Sequence, residues 1–519
     1  MSRLRLFLHG VLSNYVALAA NVVFSLLYVP LALHSLTKEQ FGVWALLNLL
    51  VSYLWLIDAG MSPSISRVLI ECKDQPGAGR YGSLIQTGFW ICAAQGLLVL
   101  VAGLALAPWA SRLFQIPASQ QATFCCLIQW QSLIAAAMFA TRMFRNLLYA
   151  HQRIDLVSYS QAGAALVALL VLWIALRRGA GMMSILWSNA FQTAFLAALT
   201  GWHCLRLHLF PAPGAWGRAL WSEFRELFDY GKDVFIVQIG SMLILASQPV
   251  IVSRSLGLEA VAAWSVGTKV FNLLGNLFWQ GFDTSTSALS EMLVRDEQER
   301  LRQRFTGMVV VMLVLCGVVA VVYAACNSLF VTVWTQGRIL WPVENDLLLG
   351  LWLLLSVLVH ANGGLIVLTR RIAGLRFILV VEGVAFILLA SAVVPHGGIP
   401  AMVAASILCS LCCSGAYGIR RVHQFFQLRW PELERRWLIS LGQIILLLIP
   451  FALATWWATS TLNNLPRLGL NAVIVGGLSG YLFLRCGIPH ELQAEILQRM
   501  PPKLRGRMGR LITQGKDSP

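Results

Sequence analysis

Apolar stretches of about twenty residues recur along the whole chain, and they constrain its fold more than any other feature. A helix of roughly 20 residues crosses the hydrocarbon core of a bilayer, which is about 30 Å thick. Of the 519 residues, 58% are hydrophobic and 12% are charged, whereas soluble domains carry about 25% charged residues. The chain is therefore predicted to be an all-α polytopic membrane protein.

About fourteen transmembrane helices are predicted from these stretches. A cleaved signal peptide is not favoured for the first stretch, because it is long and contains Asn14 and Asn21. The predicted spans are 11–34, 42–66, 83–107, 121–141, 155–176, 183–202, 233–253, 260–283, 305–327, 346–368, 375–394, 398–418, 437–458 and 468–485.

The distribution of Lys and Arg predicts the orientation. Most of these 39 residues fall in alternate loops and at both ends of the chain, which places both termini in the cytoplasm by the positive-inside rule. The net charge of +16 comes mainly from this asymmetry, and it indicates contact with anionic lipid headgroups rather than with nucleic acid. The predicted outer loops hold Lys38, Arg112, Arg177, Arg178, Arg254, Arg338 and Arg467.

The predicted loops are short, and this limits the classes of function. The longest, 203–232, contains the segment WGRALWSEFRELFDYG, which is predicted to form an amphipathic helix on the membrane surface. The tail after Arg485 is basic and is interpreted in the same way. There is no room in these loops for a soluble catalytic domain or a large external one.

Two decamers indicate an internal repeat. SLTKEQFGVW begins at residue 35 and SLGLEAVAAW at residue 255, and they share Ser, Leu, Glu and Trp at matching positions. The offset equals six predicted spans, so both halves would have the same orientation, as in transporters built from parallel repeats. The prediction is two pseudo-symmetric six-helix lobes, 1–202 and 203–418, followed by two extra helices and a basic tail in 419–519.

Predicted span eight carries a polar stripe through the membrane. Lys269 lies near its middle, where a lysine costs about 2.5–3.5 kcal/mol on insertion scales. Polar side chains avoid lipid, so the stripe indicates either a water-filled cavity or hydrogen bonds to another helix. At helical spacing, the residues that project to one side are Ser265, Lys269, Asn272, Asn276, Gln280 and Asp283.

Spans one and two show similar lines of polar residues. Lys269 can be interpreted either as a contact for substrate or ion, or as a structural partner of Asp58 or Glu382, the other intramembrane acids. The two lines are Asn14, Asn21, Ser25 and Tyr28 in span one, and Asn48, Ser52, Ser62 and Ser66 in span two, with Asp58 slightly to one side.

The run SLTKEQFGVWALLNLLVSYLWLIDAGMSPSISR resembles the opening of Wzx-type polysaccharide flippases, of the multidrug/oligosaccharidyl-lipid/polysaccharide (MOP) exporter superfamily. The second half adds SLGLEAVAAWSVGTKV, and then SALSEMLVRDEQERL before span nine. The motifs are short, so the resemblance depends on their order and spacing up to about residue 486. The residues that carry it are Pro30, Glu39, Phe41, Gly42, Asp58, Gly60 and Arg67.

The resemblance implies a flippase in the bacterial inner membrane, without catalytic chemistry. It implies that two lobes surround a central cavity lined by spans one, two, seven and eight. A polyprenyl-pyrophosphate-linked oligosaccharide would move from the cytoplasmic to the outer leaflet by alternating access. The product would serve a surface polysaccharide such as the O-antigen of lipopolysaccharide, and the expected partners are this lipid-linked oligosaccharide, anionic lipids and other polysaccharide assembly proteins.

On this resemblance, Lys269 is expected to contact a phosphate of the substrate. Asp58 and Arg67 are expected to form a cytoplasmic gate, and Glu382 and Asp283 to serve gating or ion coupling, with a proton or a sodium ion as the coupling ion. No other cofactor and no metal is expected. The sugar would meet Asn272, Asn276, Gln280, Asn21 and Asn48, and further basic candidates, which could equally contact headgroups, are Arg142, Arg145 and Arg254.

Three other functions are weighed against this one. An ion-coupled drug exporter of the same superfamily would favour an acid in span one, where this chain has Asn14 and Asn21 instead. A lipid II flippase shares the architecture and stays open as an alternative. A membrane-embedded polysaccharide polymerase or ligase would need a sizeable external loop, which the chain lacks.

Overall fold

The computed structural model describes residues 3–58, 60–72, 79–114, 116–369, 373–427 and 432–487. Within these ranges the chain is helical and contains no β-strand, so the predicted all-α class is confirmed. The α-helices are α1 (Arg3–Ser35), α2 (Lys38–Leu54), α3 (Met61–Cys72), α4 (Arg80–Leu113), α5 (Ala118–Ala140), α6 (Arg142–Ala150), α7 (Ile154–Arg177), α8 (Ser184–Arg206), α9 (Trp221–Leu245), α10 (Ser247–Leu256), α11 (Leu258–Gly267), α12 (Lys269–Val294), α13 (Gln298–Trp334), α14 (Val343–Leu368), α15 (Ala373–Ser410), α16 (Ala416–Phe426), α17 (Glu432–Ala458) and α18 (Asn464–Leu482).

Ten helical stretches among the described residues are long and apolar enough to cross a membrane. Predicted spans two, seven and eight are not among them, and each corresponds to two helices: α2 and α3, α9 and α10, and α11 and α12. Predicted spans eleven and twelve are counted together as one stretch, although Gly398, with φ 62°, separates two halves of α15. The predicted number of fourteen is therefore not confirmed.

The first compact unit comprises Met1–Ala262. Its main helix contacts pair α4 with α5, α1 with α7, and α7 with α8. A core of apolar side chains lies among α3, α4, α6 and α7, where Ile85, Met143 and Leu147 are fully buried. Removing such side chains from water and packing them densely stabilises this set of helices.

The segment that was predicted to lie on the membrane surface forms the start of α9 and packs against α4, and its position at a membrane surface stays a prediction. Glu223 on α9 is buried, and it accepts hydrogen bonds from the hydroxyls of Ser83 and Thr87. One turn further along α9, Glu226 pairs with Arg80 at 3.1 Å. These contacts tie the start of α9 to the first unit, and α9 continues without interruption into predicted span seven.

The second compact unit comprises Ala263–Pro519. The long helix α13 lies at its centre and contacts α14, α17 and α18. Phe305 and Val314 on α13, Phe282 on α12 and Leu448 on α17 are buried in one apolar core. The C-terminal helices thus pack on the second unit, whereas the predicted lobe boundaries after residues 202 and 418 stay predictions.

Candidate functional site

In the first unit, a candidate site forms where predicted span two is interrupted. A 3₁₀ turn, Trp55–Asp58, separates α2 from α3, and Gly60 follows it with φ 71°, a backbone conformation that favours glycine. Such an interruption leaves backbone carbonyls without helical partners. Gln95 on α4 supplies the missing donor: its Nε2 donates to the carbonyl oxygens of Ile57 at 3.0 Å and Asp58 at 2.9 Å.

Asp58 is buried at this interruption and forms an ion pair with Arg142. Arg142 Nη1 donates to Asp58 Oδ1 at 2.5 Å, and Ser62 Oγ donates to the same oxygen at 2.9 Å. The Arg142 guanidinium also lies over the Phe139 ring, 4.6 Å from its centroid. Arg145 follows three positions later on α6 and is half-buried, so two basic side chains and one acid cluster here.

The other predicted site residues of the first unit are exposed or lie outside the described residues. Asn21 Nδ2 donates to the Ala17 carbonyl at 2.9 Å, and Asn48 Nδ2 donates to the Trp44 carbonyl at 3.2 Å. Both amides therefore bond to their own helices while remaining exposed. Arg67 belongs to α3, but its side chain is not among those described.

In the second unit, the interruption of predicted span eight lies immediately before Lys269. Thr268 forms a turn between α11 and α12, and Lys269 is the first residue of α12 and is half-buried. The polar residues that follow on α12 are exposed, which is unusual for a helix that replaces a predicted membrane span. They are Asn272, Asn276, Gln280 and Asp283.

His360 on α14 joins this polar face, although the sequence analysis did not single it out. Its Nε2 lies 3.0 Å from Asp283 Oδ1, and the two side chains are 31% and 62% exposed. The imidazole stacks on Trp279, with ring centroids 5.2 Å apart and an interplanar angle of 13°. Because the ion pair joins positions 77 residues apart, periodicity within one helix does not reveal it.

Glu382 on α15 is buried and is satisfied by serines. Ser410 Oγ donates to its Oε1 at 2.6 Å, and the backbone N–H of Ser414 donates to Oε2 at 2.9 Å. Ser414 lies in a π-helical turn, Leu411–Gly415, that continues α15. Asp58 and Glu382 thus each have partners other than Lys269.

The two polar regions have complementary chemical capacities. Guanidinium and ammonium groups bind anionic oxygens, and exposed amides bind hydroxyl groups. His360 and Asp283 form a hydrogen-bonded pair at the exposed face of α12. Across the part of the chain that is described, three or more His, Cys, Asp or Glu side chains do not come together in a way that would hold a metal ion.

Comparison with known families and sequences gives one match. The model of a family described as "Polysaccharide biosynthesis protein" matches residues 7–280, which is more than half of the chain. Curated protein sequences give no match. The matched range includes the first unit from residue 7 onward, Lys269 and nearly half of α12.

Solved structures with this fold are membrane transporters at low sequence identity. The lipid II flippase MurJ in an inward closed conformation has a TM-score of 0.66 at 8% identity, and the alignment covers 92% of this chain and 99% of that chain. An inward-facing multidrug resistance MATE family transporter has a TM-score of 0.66 at 9% identity, covering 80% and 99%. A MOP superfamily transporter from Pyrococcus furiosus has a TM-score of 0.59 at 10% identity, covering 81% and 96%.

Proposed function

Because the chain belongs to the polysaccharide biosynthesis protein family, we propose that it is a flippase for a lipid-linked oligosaccharide. It would move a polyprenyl-pyrophosphate carrying a glycan from the cytoplasmic to the outer leaflet of the bacterial inner membrane. Both termini would lie in the cytoplasm, as the positive-inside rule indicates. The glycan would enter a cell-surface polysaccharide such as O-antigen, with other assembly proteins acting before and after it.

The observation that carries this proposal is the exposed polar face of α12 that begins at Lys269. A row of amides and a carboxylate on an exposed helix face is unfavourable in contact with lipid, because each unpaired polar group in hydrocarbon costs several kcal/mol. A hydrated passage accepts them. An oligosaccharide needs hydroxyl partners, and Asn272, Asn276 and Gln280 supply amide donors and acceptors along this exposed face.

Lys269 is assigned the anionic end of the substrate. It is half-buried at the start of α12, where an ammonium interacts with phosphate more strongly than in bulk water. Lys269 is the first residue of α12, and the dipole of a helix favours an anion near its N-terminus. Lys269 and the first turn of α12 would therefore hold the pyrophosphate, while the exposed polar residues that follow on α12 would hold the sugars.

Replacement of Lys269 tests the proposal. The full chain is reconstituted in vesicles with a fluorescent polyprenyl-pyrophosphate oligosaccharide, and the rate at which the label crosses the bilayer is measured. A hydrogen bond to a charged group is worth about 1.5–3 kcal/mol, so Lys269→Ala should slow the rate about tenfold to a hundredfold. Lys269→Arg keeps the positive charge and should retain most of the rate.

The matched control is Lys38→Ala. Lys38 is exposed and is also the first residue of a helix, α2, so its replacement should leave the rate unchanged. Wild-type flipping by Lys269→Ala would remove Lys269 from the mechanism. Absence of flipping by the wild-type chain with several lipid-linked glycans would contradict the proposed function itself.

Transport of lipid II is a second candidate, favoured by the extent of the structural likeness. The lipid II flippase structure covers 92% of this chain, whereas the multidrug transporter structure covers 80%. The same vesicles loaded with lipid II separate the two candidates. Faster movement of lipid II than of the polyprenyl-pyrophosphate oligosaccharide would support this second function.

A further inference from the structure

A second buried polar cluster lies in the second unit, around Asp346 in the first turn of α14. Asp346 is fully buried, and Asn327 on α13 is 2% exposed. Asn327 Nδ2 donates to Asp346 Oδ1 at 2.7 Å, and Trp341 Nε1 donates to the same oxygen at 2.7 Å. The Tyr323 hydroxyl interacts with both the amide and the carboxyl, so the Asp346 partners are neutral groups.

Two oxygens in this cluster are buried and have no hydrogen-bond donor: Asp346 Oδ2 and Asn327 Oδ1. The orientation of the Asn327 amide is well determined, because its Nδ2 also donates to the Gly267 carbonyl at 3.1 Å and faces two acceptors. An unpaired buried acceptor destabilises the fold, and a buried carboxylate without a cation does so more strongly. The cluster therefore lacks one hydrogen or one cation.

One proton meets this requirement at both oxygens. A neutral carboxylic acid and a primary amide can form a ring of two hydrogen bonds, with N–H donating to the acid carbonyl and O–H donating to the amide oxygen. The first of these bonds is observed between Asn327 Nδ2 and Asp346 Oδ1. The second bond of such a ring would run from a protonated Asp346 Oδ2 to Asn327 Oδ1, the two oxygens that lack a donor.

Charged groups on the neighbouring elements do not neutralise Asp346 within the described ranges. The partners of Asp346 are the neutral side chains named above and the backbone N–H of Ser328, and it forms no ion pair among the described residues. On its own helix, Glu344 is exposed. The ionisable groups on α14 and on the elements that contact it include His360 on α14, Lys269 and Asp283 on α12, Tyr323 and the N-terminal Glu299, Arg300, Arg302 and Arg304 on α13, Arg338 in the loop before α14, Glu382 and Arg376 on α15, and Arg420, Arg421 and His423 on α16.

We propose that Asp346 binds and releases one proton during transport, and that Asn327 couples this proton to the interruption before Lys269. The same Asn327 amide group holds both Asp346 and the carbonyl of Gly267, the last residue of α11. Loss of the proton would remove one bond of the ring and place a negative charge beside the amide. The anchor of the α11–α12 interruption would then change, two residues from the lysine assigned to the pyrophosphate.

This inference extends the proposed function, because it assigns the coupling ion and its site to that transporter. The cluster around Asp346 also packs closely against the interruption before Lys269. A side chain at Gly267 would collide with the ring of Trp341, which donates to Asp346. Gly267, Trp341, Asn327 and Asp346 thus form one contiguous group, and a change at the carboxyl reaches the start of α12 through direct contacts.

Infrared spectroscopy of the purified full chain tests the proton directly. A protonated carboxylic acid has a carbonyl stretch apart from those of carboxylates and amides. The wild-type chain at neutral pH should show this band, and Asp346→Asn should lose it. The Asn side chain supplies an N–H in place of the acid O–H, so this variant should fold. The matched control, Glu344→Gln, removes an exposed carboxyl two residues earlier on α14 and should keep the band.

Two spectroscopic outcomes would overturn the proposal. If the wild-type and Asp346→Asn spectra are the same in this region, Asp346 carries no proton. If sodium chloride, but not choline chloride, removes the band at fixed pH, the site binds sodium instead. Sodium-independent loss of the band in alkaline buffer supports the proton.

Transport in vesicles separates this inference from the proposed function. A pH gradient should accelerate flipping by the wild-type chain and by Glu344→Gln, and it should not accelerate flipping by Asp346→Asn. If the wild-type chain shows the acid band but moves no lipid-linked glycan, the proposed function fails and the proton site stands. If glycan moves but Asp346→Asn responds to the gradient as the wild type does, coupling through Asp346 is contradicted.

Discussion

The interruptions of predicted spans two and eight are built in the same way, but the buried acids beside them have different partners. In each, a side-chain amide from a neighbouring helix donates to the freed carbonyls: Gln95 for span two and Asn327 for span eight. A buried acid lies beside each interruption. Asp58 pairs with Arg142, whereas Asp346 is bound by neutral donors.

This difference identifies Asp346, rather than Asp58, as the candidate for proton binding. The unpaired amide oxygen alone does not discriminate, because Gln95 Oε1 and Asn327 Oδ1 both lack a donor. The acid does. Asp58 forms an ion pair with the Arg142 guanidinium, whereas Asp346 is fully buried and has an oxygen without a hydrogen-bond donor. Interrupted membrane helices stabilised by neighbours are a known setting for transport sites.

The largest expected effect comes from removing the cation of the first interruption. Arg142→Ala leaves Asp58 buried without its charged partner, and breaking such a pair costs about 3–5 kcal/mol. The thermal unfolding of the purified protein in detergent, followed by circular dichroism, should shift strongly to lower temperature. Arg178→Ala, at an exposed position after α7, is the control and should change little. An equal, small shift for both variants would contradict a structural role for the Arg142 pair.

The two amides offer the next test, with an intermediate effect. Gln95→Leu and Asn327→Leu each leave buried carbonyls without a donor, which costs about 1–3 kcal/mol, and similar losses of stability are expected. The two variants should differ in how their flipping rate responds to a pH gradient. Asn327→Leu should change the response of flipping to a pH gradient, whereas Gln95→Leu should preserve it. The same change in both variants would mean that the interruptions do not differ in this respect.

The all-α class and the apolar stretches followed from the sequence, but the interruptions of the helices did not. A hydropathy window averages over about 19 residues, so it does not detect the single-residue turn at Thr268 or the short 3₁₀ turn Trp55–Asp58. The stripe on α12 was predicted because it depends on periodicity within one helix. Its exposure in the structure agrees with a polar face, while the substrate roles of its residues stay predictions.

The partners across helices could not be predicted from periodicity. Arg142 and Asp58 are separated by 84 positions, and from the sequence Arg142 is only a basic candidate for a substrate or headgroup contact. Asp346 stands at the start of predicted span ten, where an acid is ordinary because it complements the helix dipole. Its burial beside Asn327 became apparent only from the packing of α13 against α14.

The smallest change in stability is expected when a single hydroxyl group is removed beside each of the two buried acids. Ser62→Ala removes a neutral donor from Asp58, and Tyr323→Phe removes the hydroxyl beside Asp346 and Asn327. Each should cost about 0.5–1.5 kcal/mol of stability, measured by unfolding in detergent. Asp58 retains Arg142, so Ser62→Ala should leave the infrared carboxyl region unchanged. Tyr323→Phe withdraws a donor that favours the carboxylate, so its acid band should persist in more alkaline buffer than the wild-type band. Loss of the band at the same pH in Tyr323→Phe and the wild type would show that the neutral donors around Asp346 do not control its proton.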